Sequence, residues 1–359
     1  MRSVFSVAQG LYPETITILP TYRCNAACEQ CCFESNPDVE GRLSREELFG
    51  IIEAAKNDFA SLRMVVFSGG ECTLLKDDLY DAIGLATSLG LQTRIVTNAG
   101  WAKTARTAAH IADKLAGAGL KELNISTGLD HQKWVPLQSV IQAAQAGLAR
   151  GITTLITIEK DSPDSGCLAA ASSSEAVIAM LKDHPSNFYL LSNAWMPFND
   201  RWTDRGKQDA GPQANKGCEQ LFHNLVFTPY KEISACCGLT FEYIPELKIG
   251  RIGEGRSLAS MYEEGLNDFL KIWVHVDGPR KIVKTLMGDG AESETVDEHV
   301  HICQSCVYMY QTPAIREAVR DNYAKHFPDV MARFLAMRRV MSRVSETAST
   351  EVQHREEVR

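Results

Sequence analysis

Short apolar, β-branched runs alternate with amphipathic stretches over the first two hundred residues. The runs predict strands at Thr15–Leu19, Leu62–Phe67, Gln92–Thr97, Lys121–Ser126, Ile152–Ile158 and Asn187–Leu191. The stretches between them predict helices with readable starts. Ser44 and Glu47 make a capping box ahead of Leu48, Ile51 and Ile52, and Asp77 is placed to cap the next helix. Ser172 with Glu175 repeats the box before Val177–Leu181, and further helical patterns fall near Lys103–Ala116 and Leu137–Leu148. Six βα units in succession imply a parallel sheet, either an incomplete barrel or a doubly wound sheet. Both architectures bind ligands at the C-terminal ends of the strands.

The alternation stops after about Pro197. Residues 201–217 are polar, contain glycine and read as a linker. A hairpin follows over Leu221–Thr228 and Glu232–Cys236, then helices near Leu258–Val274 and Pro279–Leu286. Met287–Glu298 reads as a mobile acidic loop, a last helix starts at Ala314, and the polar tail beyond Ser342 is expected to fray. The domain reading is therefore a barrel over 1–200, a linker over 201–217, an extension over 218–337 and a charged flexible tail over 338–359.

Composition narrows the function classes. A chain of 359 residues, 45% hydrophobic and 23% charged, is an ordinary globular protein able to bury a large core. No apolar run has the length of a membrane span, and the N-terminus lacks a basic region followed by an apolar core, so a cytoplasmic protein with no membrane partner is expected. The formal net charge of −8 argues against nucleic acid as the main partner. Eleven cysteines change the picture. An odd number in a chain read as cytosolic points to metal binding or catalysis rather than to a disulfide framework.

Cys24, Cys28 and Cys31 follow the first predicted strand directly. Thiolates are the usual ligands of iron–sulfur clusters, and three of them would leave one iron of a cubane open to a second ligand. Ser68, Gly69, Gly70 and Glu71 follow the second strand. Two glycines admit close backbone approach, and the glutamate offers a fixed acceptor for an ammonium group. A zinc site would use the same thiols but leave the second motif unexplained.

Together these motifs resemble those of the radical S-adenosylmethionine (SAM) superfamily. Its C-x3-C-x2-C cluster motif after strand one is matched by Cys24, Cys28 and Cys31, and its Gly-Gly-Glu loop after strand two by Gly69, Gly70 and Glu71. The resemblance covers residues 14–200 and implies a partial (βα)6 barrel. It implies a [4Fe-4S] cluster that binds the amino and carboxylate groups of SAM, with Glu71, Gly69 and Gly70 at the amino group. Reductive cleavage would then give a 5′-deoxyadenosyl radical that abstracts a substrate hydrogen, with an electron donor such as flavodoxin or ferredoxin as partner. Asn98 and Ser126, at the ends of strands three and four, match family positions that contact cofactor or substrate; ordinary turn chemistry accounts for them as well. Two departures stand out. Gln30 occupies the position before the third cysteine, usually aromatic, and Cys72 the position after Gly-Gly-Glu, commonly proline. A thiol at Cys72 is either a hydrogen-atom donor to a substrate radical or a filler of core space.

A second group, Cys218, Cys236, Cys237, Cys303 and Cys306, lies in the C-terminal part. Cys303 and Cys306 have C-x2-C spacing, and folding of the hairpin would bring Cys218 and Cys236 together. The layout resembles the SPASM and twitch extensions of the same superfamily, although Lys231 stands where their hairpin turn has glycine. By this resemblance Cys218, Cys236, Cys303 and Cys306 would hold one auxiliary [4Fe-4S] cluster, with structural zinc as the alternative and the choice between Cys236 and Cys237 open. The whole is then an α/β protein, a partial (βα)6 TIM-like barrel with a smaller C-terminal α+β iron–sulfur extension.

Three functions follow for test. The first is a maturase that cross-links or epimerises a ribosomally made peptide, and the second a dehydrogenase or cyclase acting on a small molecule. The third is a non-catalytic metal-binding scaffold, which the complete cysteine trio and Glu71 speak against. Because the cluster motif begins at Cys24, peptide leader recognition is expected from a separate protein or from the C-terminal half.

Overall fold

The computed structural model describes residues 13–160, 165–195, 215–236, 238–239 and 242–357, with side chains described up to Arg338. The expected linker falls outside the described residues as far as 214, and so does Cys237.

Six parallel strands lie in chain order: β1 (Thr15–Ile18), β2 (Met64–Phe67), β3 (Gln92–Thr97), β4 (Glu122–Thr127), β5 (Thr153–Glu159) and β6 (Phe188–Asn193). Each neighbouring pair is joined by a crossover containing helix: α1 (Arg45–Asp58), α2 (Asp77–Ser88), α3 (Ala105–Gly117), α4 (Leu129–Gln132) with α5 (Leu137–Leu148), and α6 (Cys167–Ser173) with α7 (Glu175–Asp183). A doubly wound sheet reverses its strand order at a switch point. This sheet does not, so its order is that of a partial barrel. Alternation of side chains explains the core: Ile16, Ile18, Val65, Phe67, Ile95, Leu123, Ile125, Ile156 and Ile158 are all buried beneath the helices.

Local starts follow the sequence unevenly. Ser44 and Glu47 form their capping box, worth about 1 kcal/mol. Asp77 is the first residue of α2 rather than its cap, because Lys76 turns the chain there at φ +56°. Ser172 lies inside α6, and Ser174 starts α7 instead.

The extension is continuous with the barrel. Strand β7 (Asn224–Phe227) pairs in parallel with β1, so that β8 (Glu232–Ser234) and β9 (Lys248–Arg251) extend one nine-stranded sheet in the order β6-β5-β4-β3-β2-β1-β7-β8-β9. The expected hairpin is β7 with β8. Lys231 takes φ +67° in its turn, the left-handed conformation for which the family has glycine, and its Nζ pairs with Glu47 of α1 at 2.5 Å.

Beyond β9 come α8 (Leu258–Gly265), α9 (Phe269–Asp277), α10 (Pro279–Met287), α11 (Ala291–Glu298), α12 (Ile302–Gln311) and α13 (Pro313–Glu357). The long helix expected over Leu258–Val274 is broken where Asp268 caps α9 through the N–H groups of Leu270 and Lys271. The expected acidic loop is largely helix α11, fixed by Ser293 and Val296, both buried. Backbone helix runs through the tail to Glu357. No helix among the described residues is long and apolar enough to cross a membrane.

Candidate active site

The strand ends converge on one cavity of about 230 Å³. Cys24, Cys28, Cys31 and Cys32 line it from the loop after β1, Ser68, Gly69 and Gly70 from that after β2, and Asn98 and Ser126 from the ends of β3 and β4. His131 and Trp195 line it as well, their rings in tilted contact with centroids 4.0 Å apart.

Backbone contacts hold the two motifs together. Gly70 N–H donates to Thr21 O at 2.8 Å and Glu71 N–H to Arg23 O at 3.0 Å. A Cβ on Gly70 would stand 2.2 Å from Arg23 O, so only glycine admits this approach. The glycine pair thus seats the cysteine loop as well as bordering the cavity.

Glu71 sits differently from the sequence expectation. It is buried and absent from the cavity lining. Its Oε1 accepts from Thr73 N–H at 3.1 Å, Thr73 Oγ1 at 2.6 Å and Thr97 Oγ1 at 2.8 Å, and its Oε2 from Asn98 N–H at 2.9 Å. Burial raises its pKa, against the lowering by these donors. Glu71 ties β2's end to β3's end. That contact places Asn98, whose Nδ2 donates to Asn25 Oδ1 at 2.7 Å and approaches Cys24 Sγ at 3.5 Å. The turn beyond is strained at Ala99, buried at φ +59°.

The hydrogen-donor expectation for Cys72 does not match its placement. Cys72 is fully buried in the core, its Sγ 3.5 Å from Val96 O, and it does not line the cavity. The residue after Glu71 starts a short 3-10 turn in which Cys72 and Leu75 are the buried side chains. Cys32 is the further thiol on the cavity wall.

The thiols suit a cationic group. Burial, and next the Glu71 carboxylate, push Cys24 up to about 12. Burial and the neighbouring Cys31 and Cys24 push Cys28 up as well, and burial raises Cys31. Thiols grouped so that each ionised form opposes the next become thiolates when positive charge arrives between them. An iron–sulfur cluster takes its thiolates on separate irons. The donor set fits an iron–sulfur cluster.

The residues missed by the sequence reading support this loop from behind. Asp130, wholly buried, accepts from Gln30 N–H at 2.9 Å and from Lys133 Nζ at 3.1 Å. Its signal was an acidic residue two places after the strand-end Gly128. Burial lowers His131 to about 4, so its ring is neutral. Leu239 and His301, from the extension, complete the wall.

A second, small cavity is lined by Cys218, Cys236, Cys303 and Cys306. Cys218 is held by its N–H to Val274 O at 3.0 Å, and Gly217 before it has a Cβ position only 2.1 Å from His275 O. Burial and then Cys236 push the Cys218 thiol up to about 11, and Cys306 is raised by burial, Cys218 and Cys236. These thiols form the same kind of donor set, around a cavity of about 20 Å³.

Comparison with known proteins agrees with this geometry. A profile described as the Radical SAM superfamily matches residues 18–127. A putative peptide biosynthesis protein of Bacillus subtilis (strain 168), YydG, is 26% identical over 131 residues, 36% of this chain. The chain spans 40% of the length of that curated relative. Among solved structures, anSMEcpe with bound AdoMet superposes with a TM-score of 0.52 at 12% identity, over 90% of this chain and 99% of that one. The same protein with bound AdoMet and the Cp18Cys peptide gives 0.51, again at 12% identity over 90% and 99%. At that identity the likeness is one of fold.

Proposed function

On the premise that this chain belongs to the radical SAM superfamily, whose profile its residues 18–127 match, we propose that it modifies a ribosomally made peptide by hydrogen abstraction, leading to a cross-link or an epimerised residue. Cys24, Cys28 and Cys31 would hold the [4Fe-4S] cluster, with Gly69, Gly70, Asn98 and Ser126 bordering SAM. When bound, cluster and SAM supply the one-electron chemistry that cleaves the sulfonium and removes a substrate hydrogen. Cys218, Cys236, Cys303 and Cys306 would hold a closed auxiliary [4Fe-4S] cluster. A flavodoxin or ferredoxin would deliver the electron.

The chain's own work is positioning and exclusion of water. The Gly70 and Glu71 amides lock the cysteine loop to β2, and Asp130 holds its far end through Gln30 N–H. Asn98 directs an amide N–H toward Cys24 Sγ, which favours the thiolate. Phe33, Val96, Trp195 and Leu239 give the cavity an apolar wall.

The lining carries the peptide reading. Among the described residues, no Asp, Glu, Lys or Arg side chain borders the cavity. A phosphorylated small molecule needs fixed counter-charges when it leaves water. A peptide segment needs neutral hydrogen-bond partners and apolar surface, which Gln30, Asn193 and Trp195 offer. The name of the curated relative and the peptide bound to a protein of this fold support the same choice.

The test is co-expression with short open reading frames from the gene's neighbourhood, read by mass spectrometry. A peptide that changes mass or resists fragmentation is the expected result. Turnover of SAM to 5′-deoxyadenosine by the reconstituted protein, with no peptide changed, would turn the reading to a small molecule.

A further inference from the structure

Two wall residues of the barrel cavity, Leu239 and His301, come from the extension, and both are tethered to the second cysteine site. Leu239 lies three residues after Cys236, and His301 two before Cys303. Both tethers are tight. Gly238 N–H donates to Cys236 Sγ at 3.2 Å. His301 is the N-cap of α12, the helix that carries Cys303 and Cys306: its Nδ1 accepts from Cys303 N–H at 3.2 Å, and its own N–H donates to Gln304 Oε1 at 3.1 Å.

The cap fixes the tautomer. A ring nitrogen that accepts from a backbone N–H carries no proton, so the His301 proton is on Nε2. With its Nδ1 edge on the helix start, the ring has its Nε2 edge to offer the cavity. That edge is a hydrogen-bond donor brought from the extension to a wall that carries no Asp, Glu, Lys or Arg among the described residues. Its complement is a neutral acceptor such as a peptide carbonyl oxygen.

We propose that His301 orients the peptide substrate by donating from Nε2 to a backbone carbonyl, and that the four-cysteine site holds the ring in place through α12. The inference rests on the peptide reading above. It makes the second site a support of the substrate wall, acting over two residues of chain rather than through any contact of its own.

Two substitutions separate the cap from the donor. Asparagine reproduces an acceptor at the Nδ1 position, and glutamine carries an amide N–H to about the Nε2 position. His301→Asn is expected to keep the melting temperature and iron content while raising KM for the precursor peptide about ten-fold, with a smaller change in kcat. His301→Gln is expected to lower the melting temperature, as a lost cap does, and to hold KM within about three-fold. A wild-type KM in His301→Asn, or an equal rise in both variants, overturns the proposal and makes His301 a cap alone. Diethyl pyrocarbonate tests the ring without any peptide. With its nucleophilic Nδ1 held in the cap, the ring should react slowly in the reconstituted protein, and several-fold faster in Cys306→Ser, where the support is weakened. A rate unchanged in Cys306→Ser overturns the support that the four-cysteine site lends to the ring. Failure to find any modified peptide instead overturns the reading on which the inference rests, and the reagent result stands apart from it.

Discussion

Glu71 accepts from four donors of its own chain, which changes what its loss should do. Glu71→Gln turns an amide donor against donors in a buried site and should cost about 2 kcal/mol, read as a fall in melting temperature together with weaker cluster retention. Gly70→Ala sets a methyl group against Arg23 O and should separate the two motifs. Iron bound after anaerobic reconstitution should fall several-fold; full iron content would show that the loop yields. Cys72→Ala, by contrast, removes a buried filler and should cost about 1 kcal/mol with product formation retained. At this scale the sequence revealed residue types and spacing. Whether Glu71 or Cys72 faced the cavity depended on which way each backbone turned after β2, and nothing in the pattern fixes that.

Elements divide along the same line. The six barrel strands were legible because each is a short run of successive or alternating apolar residues between polar punctuation, a purely local signal, even in β6, which is largely exposed beyond Phe188. Helices α11 and α12 were not, since α11 is acidic and α12 buries Cys303, Ser305, Val307 and Met309 without a clean apolar stripe. Tertiary contacts stabilise them instead. The short α4 is similar: it exists to aim Asp130 at the cysteine loop. Asp130→Asn keeps the size but weakens the acceptor, and should loosen residues 28–31. Hydrogen exchange of the Gln30 amide should rise about ten-fold, a change that an unsupported surface loop would not show.

For the whole molecule, the extension is closed by an ion cluster at the α9–α10 junction. Arg333 of α13 grips Asp277 with two hydrogen bonds, 2.5 and 2.9 Å, and Lys281 adds a third contact at 2.7 Å. Burial alone would raise the Asp277 carboxyl, but these partners outweigh it and hold it down at about 2. A carboxyl lowered on folding stabilises fully above its unfolded value near 4, and the gain is lost as pH falls from there through about 2. Arg333→Ala should therefore cost about 2 kcal/mol at neutral pH, and the difference in melting temperature should shrink across that acid window. Cys306→Ser should remove about half of the bound iron while sparing the first site; loss of zinc instead would identify the second site as a zinc centre. By itself the sequence determined the strands, the cysteine trio and the glycine pair, because periodicity and ligand spacing are properties of neighbouring residues. Only the tertiary structure decided that β7 joins β1 and that His301 reaches the barrel, and it brings to one cavity the four distant cysteines that resemblance alone had grouped. Those pairings span long stretches of chain, and their energy comes from packing and hydrogen bonds formed only when the chain has closed on itself.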